Sequence, residues 1–275
     1  MPGLFTDARC LLHTVPPGFT ERPARLAGVL EGLRRAGREP VEAGAHPEAR
    51  KVVEAIHDPR YVERFRRAAG RADALLDSAD NPLSEGTWEA AWGAVEASLH
   101  AADWVLAGTD RRAFAAVRPP GHHAERALAM GFCFLNNVAV AAEHLLRRGC
   151  GRVAIFDFDV HHGNGTQHLF ERRADVFYAS THQYPFYPGT GAAEERGEGK
   201  GEGATLNVPL PPGTDDAAYA AAIEGQVLPV LRASRPEVLL LSAGFDAWRN
   251  DPLGGMRVSE AGFHHWGRWC REVAT

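Results

Sequence analysis

Between Arg152 and Gln167 the chain reads RVAIFDFDVHHGNGTQ, and residues able to bind a metal recur through its middle. Asp157, Asp159 and His161 fall at every second position after the apolar run Val153–Phe156. A continuous apolar run of this length marks a strand buried on both faces. On an extended strand a period of two turns all three polar side chains the same way. Bare carboxylates in a buried place are costly unless something compensates them, so the stretch predicts a bound cation. A polar turn or helix cap is the plainer alternative. Asp246, just past the apolar run Val238–Ser242, completes a set of two carboxylates and one imidazole with Asp159 and His161. Three protein ligands with one position open is the pattern of a catalytic zinc site. The open position takes a water whose pKa the metal lowers, and the same ion polarises a carbonyl. Zinc and ferrous iron both tolerate such ligands.

His122 and His123 form a second cluster, after Arg118-Pro-Pro-Gly121. With the metal served by other residues, the pair suits general acid and base work. Each ring then needs an orienting partner on its far nitrogen, and Asp157 and Asn164 are the candidates. Two satisfied loop histidines are the alternative for the pair taken alone.

The elements that must position these groups alternate. A short strand over 3–7 precedes a Pro/Gly loop, and Pro23 opens a helix in which Leu26, Val29, Leu30 and Leu33 recur at helical spacing up to Gly37. A second strand is expected over 39–43, and helices over 49–56, 61–69, 87–106 and 136–148, with a strand over 113–117. After the focal strand, Gly163–Gly165 breaks the chain in a tight turn and a helix begins near Gln167. Strands over 175–180, 205–210 and 238–242 and helices over 217–233 and 259–275 complete the pattern. The Gly/Glu-rich stretch from Tyr184 to Gly203 reads as a loop, mobile at its middle. Alternation of this kind predicts an α/β fold, a mostly parallel central sheet with helices on both faces. In such sheets ligands gather at the carboxyl ends of strands, which is where His122, His123, Asp157–His162, Ser180–His182 and Asp246 fall. With no repeat and no linker, residues 1–275 are expected to form a single domain.

Composition bounds the rest. The 275 residues are 45% hydrophobic and 24% charged, ordinary for a globular chain. A net charge of −5 argues against a nucleic-acid binder, and Arg64-Phe-Arg-Arg67 and Arg147-Arg148 read as solvated helix faces. Cys10, Cys133, Cys150 and Cys270 are widely spaced, so neither a disulfide framework nor a thiolate metal site is expected. No membrane span or signal peptide is visible, and a cytoplasmic location is expected.

The motifs RPPGHHA (118–124), GFCFLNNVAVAA (131–142), DFDVHHGNGTQ (157–167), YPGTG (187–191) and SAGFDA (242–247) closely resemble the histone deacetylase family, whose bacterial members include acetylpolyamine amidohydrolases. The resemblance runs in order from about residue 4 to the chain end. It implies an arginase-like α/β fold and zinc-dependent removal of acyl groups from lysine or related amines. Carried over by motif, Asp159, His161 and Asp246 are the zinc ligands. His123 is the general base and then acid, and His122 stays near the leaving amine and the zinc water. Asp157 pairs with His122, and Asn164 with His123. Some branches of the family have an aspartate at that last position, so the asparagine is similar to the class II side. An amide cannot stabilise an imidazolium as a carboxylate does, which makes His123 the less basic of the two.

The same resemblance implies a structural potassium site at Asp157, Asp159, His161, Ser180 and Thr181. Gly131, Phe132 and Tyr187 would line an acyl-lysine channel, Asp80 would be its rim carboxylate, and Arg25 would lie behind an acetate-release cavity. In polyamine-specific members a glutamate follows the last zinc aspartate by a few residues. Leu253 stands there in this chain, which points to acyl-lysine or a similar amide.

The family's later Gly-Gly-Tyr motif, whose tyrosine donates to the oxyanion, has no counterpart before Thr275. Loss of one such donor costs on the order of a hundredfold to a thousandfold in rate. The expectation is a fragment of a longer reading frame. Its alternative is a non-catalytic member that binds acyl-lysine or a protein partner. A dinuclear manganese ureohydrolase on the same fold is disfavoured, because DFDVHHG carries one full ligand set.

Overall fold

The computed structural model describes residues 1–71, 74–108 and 110–273, the side chains of 270–273 excepted, so that Cys270 lies outside the described side chains. They gather into two compact units, Met1–Arg148 and Gly149–Thr275.

In the first unit, strands β1 (Gly3–Thr6), β2 (Val41–Glu42) and β3 (Ala113–Ala115) make a parallel sheet in the order β2-β1-β3. Five helices accompany it: α1 (Pro23–Arg35), α2 (Ala49–Ile56), α3 (Pro59–Gly70), α4 (Thr87–Leu106) and α5 (Asn137–Arg147). Pro23 and Pro59 sit in first turns, where a missing N–H costs nothing. Asp58 and Asn136 cap α3 and α5 by accepting the amides of Arg60 and Ala139. Helix α4 packs on β1, β3 and α5. Its buried residues are mostly small (Ala90, Ala91, Ala94, Ala97 and Ala102 beside Val95 and Leu99), which lets its neighbours approach closely. The apolar stripe of α1 is narrower than its spacing predicts. Leu26 is buried and Leu30 and Leu33 pack beside it, but Val29 is exposed.

In the second unit, β4 (Val153–Asp157), β5 (Val176–Gln183), β6 (Thr205–Leu210) and β7 (Val238–Ser242) form a parallel sheet in the order β6-β5-β4-β7. All five residues of β4 are buried, as its apolar run predicts for a central strand. The register sets Asp157 opposite both Ser180 and Ser242, so three strands reach one level at their carboxyl ends. Helices α6 (Asn164–Phe170), α7 (Asp216–Ala222), α8 (Leu228–Ser234) and α9 (Glu260–Val273) accompany this sheet. The core joins Phe156, Phe158, Val208, Ile223, Leu231 and Trp266. Tyr219 stacks on Trp266 with ring centroids 4.1 Å apart. Burying a large apolar side chain of this kind contributes about 1.5–3 kcal/mol.

Three expectations are corrected. First, the focal strand ends at Asp157, and Asp159 and His161 lie in bends beyond it. The aspartates themselves turn the chain: Asp157 Oδ1 accepts the amide of Asp159 (3.2 Å) and Asp159 Oδ1 that of His161 (2.8 Å). Such bonds to the residue two ahead compete with the strand ladder. Helix α6 accordingly starts at Asn164, three residues before Gln167. Second, the helix expected over 217–233 is split by a π turn at Ile223–Val227, where the amide of Leu228 reaches back to the carbonyl of Ile223. Pro229 has no amide to give to the residue four before it, which favours the wider turn. Third, the Gly/Glu loop is held at its middle. The amide of Glu198 donates to the carbonyl of Glu171 (2.6 Å), that of Gly203 to Arg196 (2.8 Å), and Gly199–Gly201 forms a short 3-10 turn. Among the described residues no helix is long and apolar enough to cross a membrane.

Candidate active site

Leaving β4, the chain brings Asp159 and His161 together with Asp246, which follows β7. One ligand atom from each lies within 4.8 Å of the others. His161 Nδ1 is 3.0 Å from Asp159 Oδ1 and 3.0 Å from Asp246 Oδ2. Asp246 is held in place by the amide of Val160, which donates to its Oδ1 (2.8 Å). Burial first, and then the neighbouring Asp159 carboxylate, pushes the Asp246 carboxyl above its ordinary range. Burial pulls the His161 imidazole down, but hydrogen bonds and charge from Asp159 and Asp246 outweigh it and lift the group to about 10. Two carboxylates and an imidazole that strain toward a shared positive charge are a donor set suited to a divalent ion.

Gly244 and Phe186, not singled out by the sequence, also lie beside these ligands. Gly244 lies against Asp159, and a Cβ there would come 2.6 Å from the aspartate's own Cβ. Only glycine admits such an approach. Phe186 stacks on the His161 ring (centroids 5.1 Å), and Tyr187 meets it edge-on (6.0 Å) while 40% exposed. An aromatic-rich turn beside YPGTG was the available signal for Phe186. Asp157, Ser180 and Thr181 are all buried. The Ser180 hydroxyl bonds His182 Nδ1 (2.9 Å), and the Thr181 carbonyl accepts from the Tyr219 hydroxyl (3.2 Å). Asn164 is buried in the first turn of α6.

The buried network behind the YPGTG loop was also missed. His162 bonds Thr190 Oγ1 (2.8 Å) through Nδ1 and Gln167 Oε1 (2.9 Å) through Nε2. His182 donates through Nε2 to the carbonyl of Gly191 (2.9 Å). Gln167 in turn donates to Glu195, which accepts the amides of Gly191 and Ala192. Gly191 has φ +92°, and a Cβ on it would meet both His182 Nε2 and His162 Cγ.

In the first unit His122 and His123 are buried, 7% and 3% exposed, with ring centroids 4.0 Å apart. Their loop is anchored by Arg118. Its guanidinium makes a bidentate pair with buried Glu21 (2.8 and 2.7 Å) and donates to the carbonyls of Cys10 and His13. Gly131, at φ +56°, lies on the His123 ring. Phe132 also has a positive φ, +67°, and meets Phe19 edge-on. Asp80 accepts the amide of Gly131 through Oδ2 (2.9 Å) and the Ser78 hydroxyl through Oδ1. It therefore fixes the glycine turn, a contact the rim role implied by resemblance does not include. Arg25 is exposed on the first turn of α1, and the arginine buried in this unit's interior is Arg118. Residue 25 falls on the outer face of a helix that buries Leu26. Leu253 is exposed in a turn whose amides bond Asp251.

These motifs and this geometry agree with what the chain is similar to. The family model described as "Histone deacetylase domain" matches residues 19–275. A protein named "Probable deacetylase" from Archaeoglobus fulgidus is 38% identical over 270 residues, covering 95% of this chain and 73% of its own length. A "Histone deacetylase-like amidohydrolase" from Pseudomonas aeruginosa is 37% identical, covering 98% of this chain and 76% of its own. The crystal structure of the HDA15 HD domain superposes with a TM-score of 0.93 at 36% identity, covering 100% of this chain and 82% of that one. With the match running through both the paired histidines and the Asp-His-Asp set, the chain belongs to the histone deacetylase family of acyl-group hydrolases.

Proposed function

We propose that the protein is a zinc-dependent amide hydrolase that removes acyl groups from lysine or a related small acylated amine. The observation that carries the reading is the convergence of Asp159, His161 and Asp246 within 4.8 Å. These three would hold the ion, zinc or in the cell ferrous iron. When bound, it supplies a Lewis acid that polarises the acyl carbonyl and makes water easier to deprotonate.

The remaining chemistry falls to the chain's own side chains. His123 takes a proton from the attacking water and returns it to the departing amine. His122 stands by the leaving amine, with its far nitrogen on Asp157. Asn164 orients His123 and leaves it the less basic ring, because an amide offers no charge to an imidazolium. Burial of both rings supports this use, since their proton exchange is then confined to fixed partners. A potassium ion held by Asp157, Asp159, His161, Ser180 and Thr181 would set the level of the strand ends. Gly131, Phe132 and Tyr187 form the acyl channel, with Asp80 at its rim and Leu253 biasing it away from cationic chains. The family match spans both compact units, which supports reading them as parts of one catalytic domain. We place it in the cytoplasm, where Cys10, Cys133 and Cys150 would stay free thiols.

Turnover of an acetyl-lysine peptide, measured with and without a strong chelator and in His123→Ala, tests the proposal. Loss of activity on chelation, its return with Zn2+, and a drop of at least a thousandfold in His123→Ala with metal content unchanged are expected. Activity indifferent to both would sink the reading. Tight metal binding without turnover on any acyl amide would favour a binding protein.

A further inference from the structure

Three histidines and an aspartate of the first unit take no part in the reaction proposed above. His46 lies before α2, His100 and Asp103 stand one turn apart on α4, and His144 is on α5. His46 Nε2 is 3.0 Å from Asp103 Oδ2, and His144 Nε2 is 2.7 Å from Asp103 Oδ1. One ligand atom from each of His46, Asp103 and His144 lies within 4.8 Å of the others. The Asp159, His161 and Asp246 set has the same signature, imidazole nitrogen drawn to carboxylate oxygen inside the same span. Both imidazoles are buried, while the Asp103 side chain is 33% exposed, which gives an ion a path from solvent. The ring of His46 meets His144 edge-on at 5.3 Å and His100 at 4.9 Å. His100 Nε2 is buried with no hydrogen-bond partner among the described residues. Orphaned buried donors and acceptors are uncommon and call for an unseen partner.

We propose that His46, Asp103 and His144 form a second site for a borderline-soft divalent cation, Zn2+ by donor type, with water in the remaining position and the His100 ring packed beside His46. Two imidazoles and a carboxylate without thiolate suit Zn2+ at Zn–N distances of about 2.0–2.1 Å. Two present contacts must change. Arg148 donates to Asp103 Oδ1 at 3.3 Å and has to release one lone pair. His46 Nδ1 accepts the Glu48 amide at 3.3 Å. When Nε2 takes the ion, the ring proton moves to Nδ1 and that long bond is lost, with no net proton change in the ring. The ion would tie the segment before α2 to α4 and α5. Binding energy spent on a site absent from the unfolded chain is folding energy.

The site is tested on the full chain, stripped of metal and titrated with Zn2+ under native mass spectrometry. Two equivalents are expected in the wild type, one in Asp103→Asn, one in Asp246→Asn and none in the double variant. In Asp246→Asn, Co2+ should give visible absorption that the added Asp103→Asn abolishes, and Zn2+ should raise the Tm. A single wild-type equivalent that vanishes in Asp246→Asn, with no Co2+ absorption left there, overturns the second site. Those two measurements decide the matter even if Asp103→Asn fails to fold. A single equivalent lost only in Asp103→Asn would support this site and refute the catalytic assignment instead.

Discussion

Gly131 lies so close to His123 that a Cβ built on it would come 2.7 Å from the ring's Cγ, and closer still to Cδ2. The ring thus occupies the space a side chain would need. The glycine's φ of +56° adds a second reason that other residues are strained there. Gly131→Ala should displace the imidazole and lower kcat at least a hundredfold while metal content stays at the wild-type level. Unchanged kcat in a folded, metal-loaded Gly131→Ala would show that the contact does not position the base.

Asp80 gives a sharper distinction. Because it accepts the Gly131 amide, its first effect should fall on the turn that packs against His123. Removing a charged acceptor costs about 1.5–3 kcal/mol, so Asp80→Ala should reduce kcat roughly ten- to a hundredfold. A carboxylate that only gripped substrate backbone would raise KM and leave kcat alone. Steady-state kinetics on one acyl peptide separates the two.

Three buried histidines set an acid limit. His13, His57 and His182 are each pulled down to about 4, chiefly by burial. His57 is further committed to its neutral form, since its Nδ1 donates to the carbonyl of Glu125 and its Nε2 accepts the amide of Asn136, both at 2.9 Å. In the unfolded chain the same rings titrate near ~6.5. The stability they contribute is therefore complete above ~6.5 and is lost as pH falls through that value towards 4, on the order of 3 kcal/mol for each ring. A Tm series should fall steeply over this interval, and His57→Gln should flatten part of the slope. A Tm independent of pH between 7 and 4 would show that these rings are not buried neutral.

The proposed influence of Leu253 on substrate charge preference is open to test, because the residue is exposed in its turn. Leu253→Glu should raise kcat/KM for an acetylated polyamine relative to an acetyl-lysine peptide by about tenfold, the scale of one added charge contact of ~1.4 kcal/mol. No change in that ratio would remove residue 253 from the specificity argument.

Much of this was legible in the chain because the signals are local. The limits of α4 and β7 follow from apolar runs and their punctuation, and both appear where expected. Asp159, His161 and Asp246 were found by residue type and by motif. The common direction expected of Asp157, Asp159 and His161 from a continuous strand does not hold: aspartate side chains bend the chain after Asp157, and the approach of Asp246 to Asp159 and His161 comes from long-range packing. Other features have no local signal. That Asp80 would hold Gly131, fifty-one positions on, depends on a turn whose φ values the sequence does not announce. Arg118 and Glu21 are ninety-seven positions apart, and nothing nearby marks either as the other's partner. The π turn before Pro229 reflects a carbonyl without a donor, and helical periodicity does not register it.

The fastening of the YPGTG loop has a further consequence. Gly191 is wedged between His162 and His182, and Glu195 grips two amides, so the loop is secured at its far end by this side-chain network. Tyr187, at the other end, is 40% exposed and meets the His161 ring edge-on. If Tyr187 lines the proposed acyl channel, substrate range and structural integrity lie at different addresses on one short segment. Under that reading, substitutions at position 187 change acyl preference while the loop's grip on the fold stays as it is.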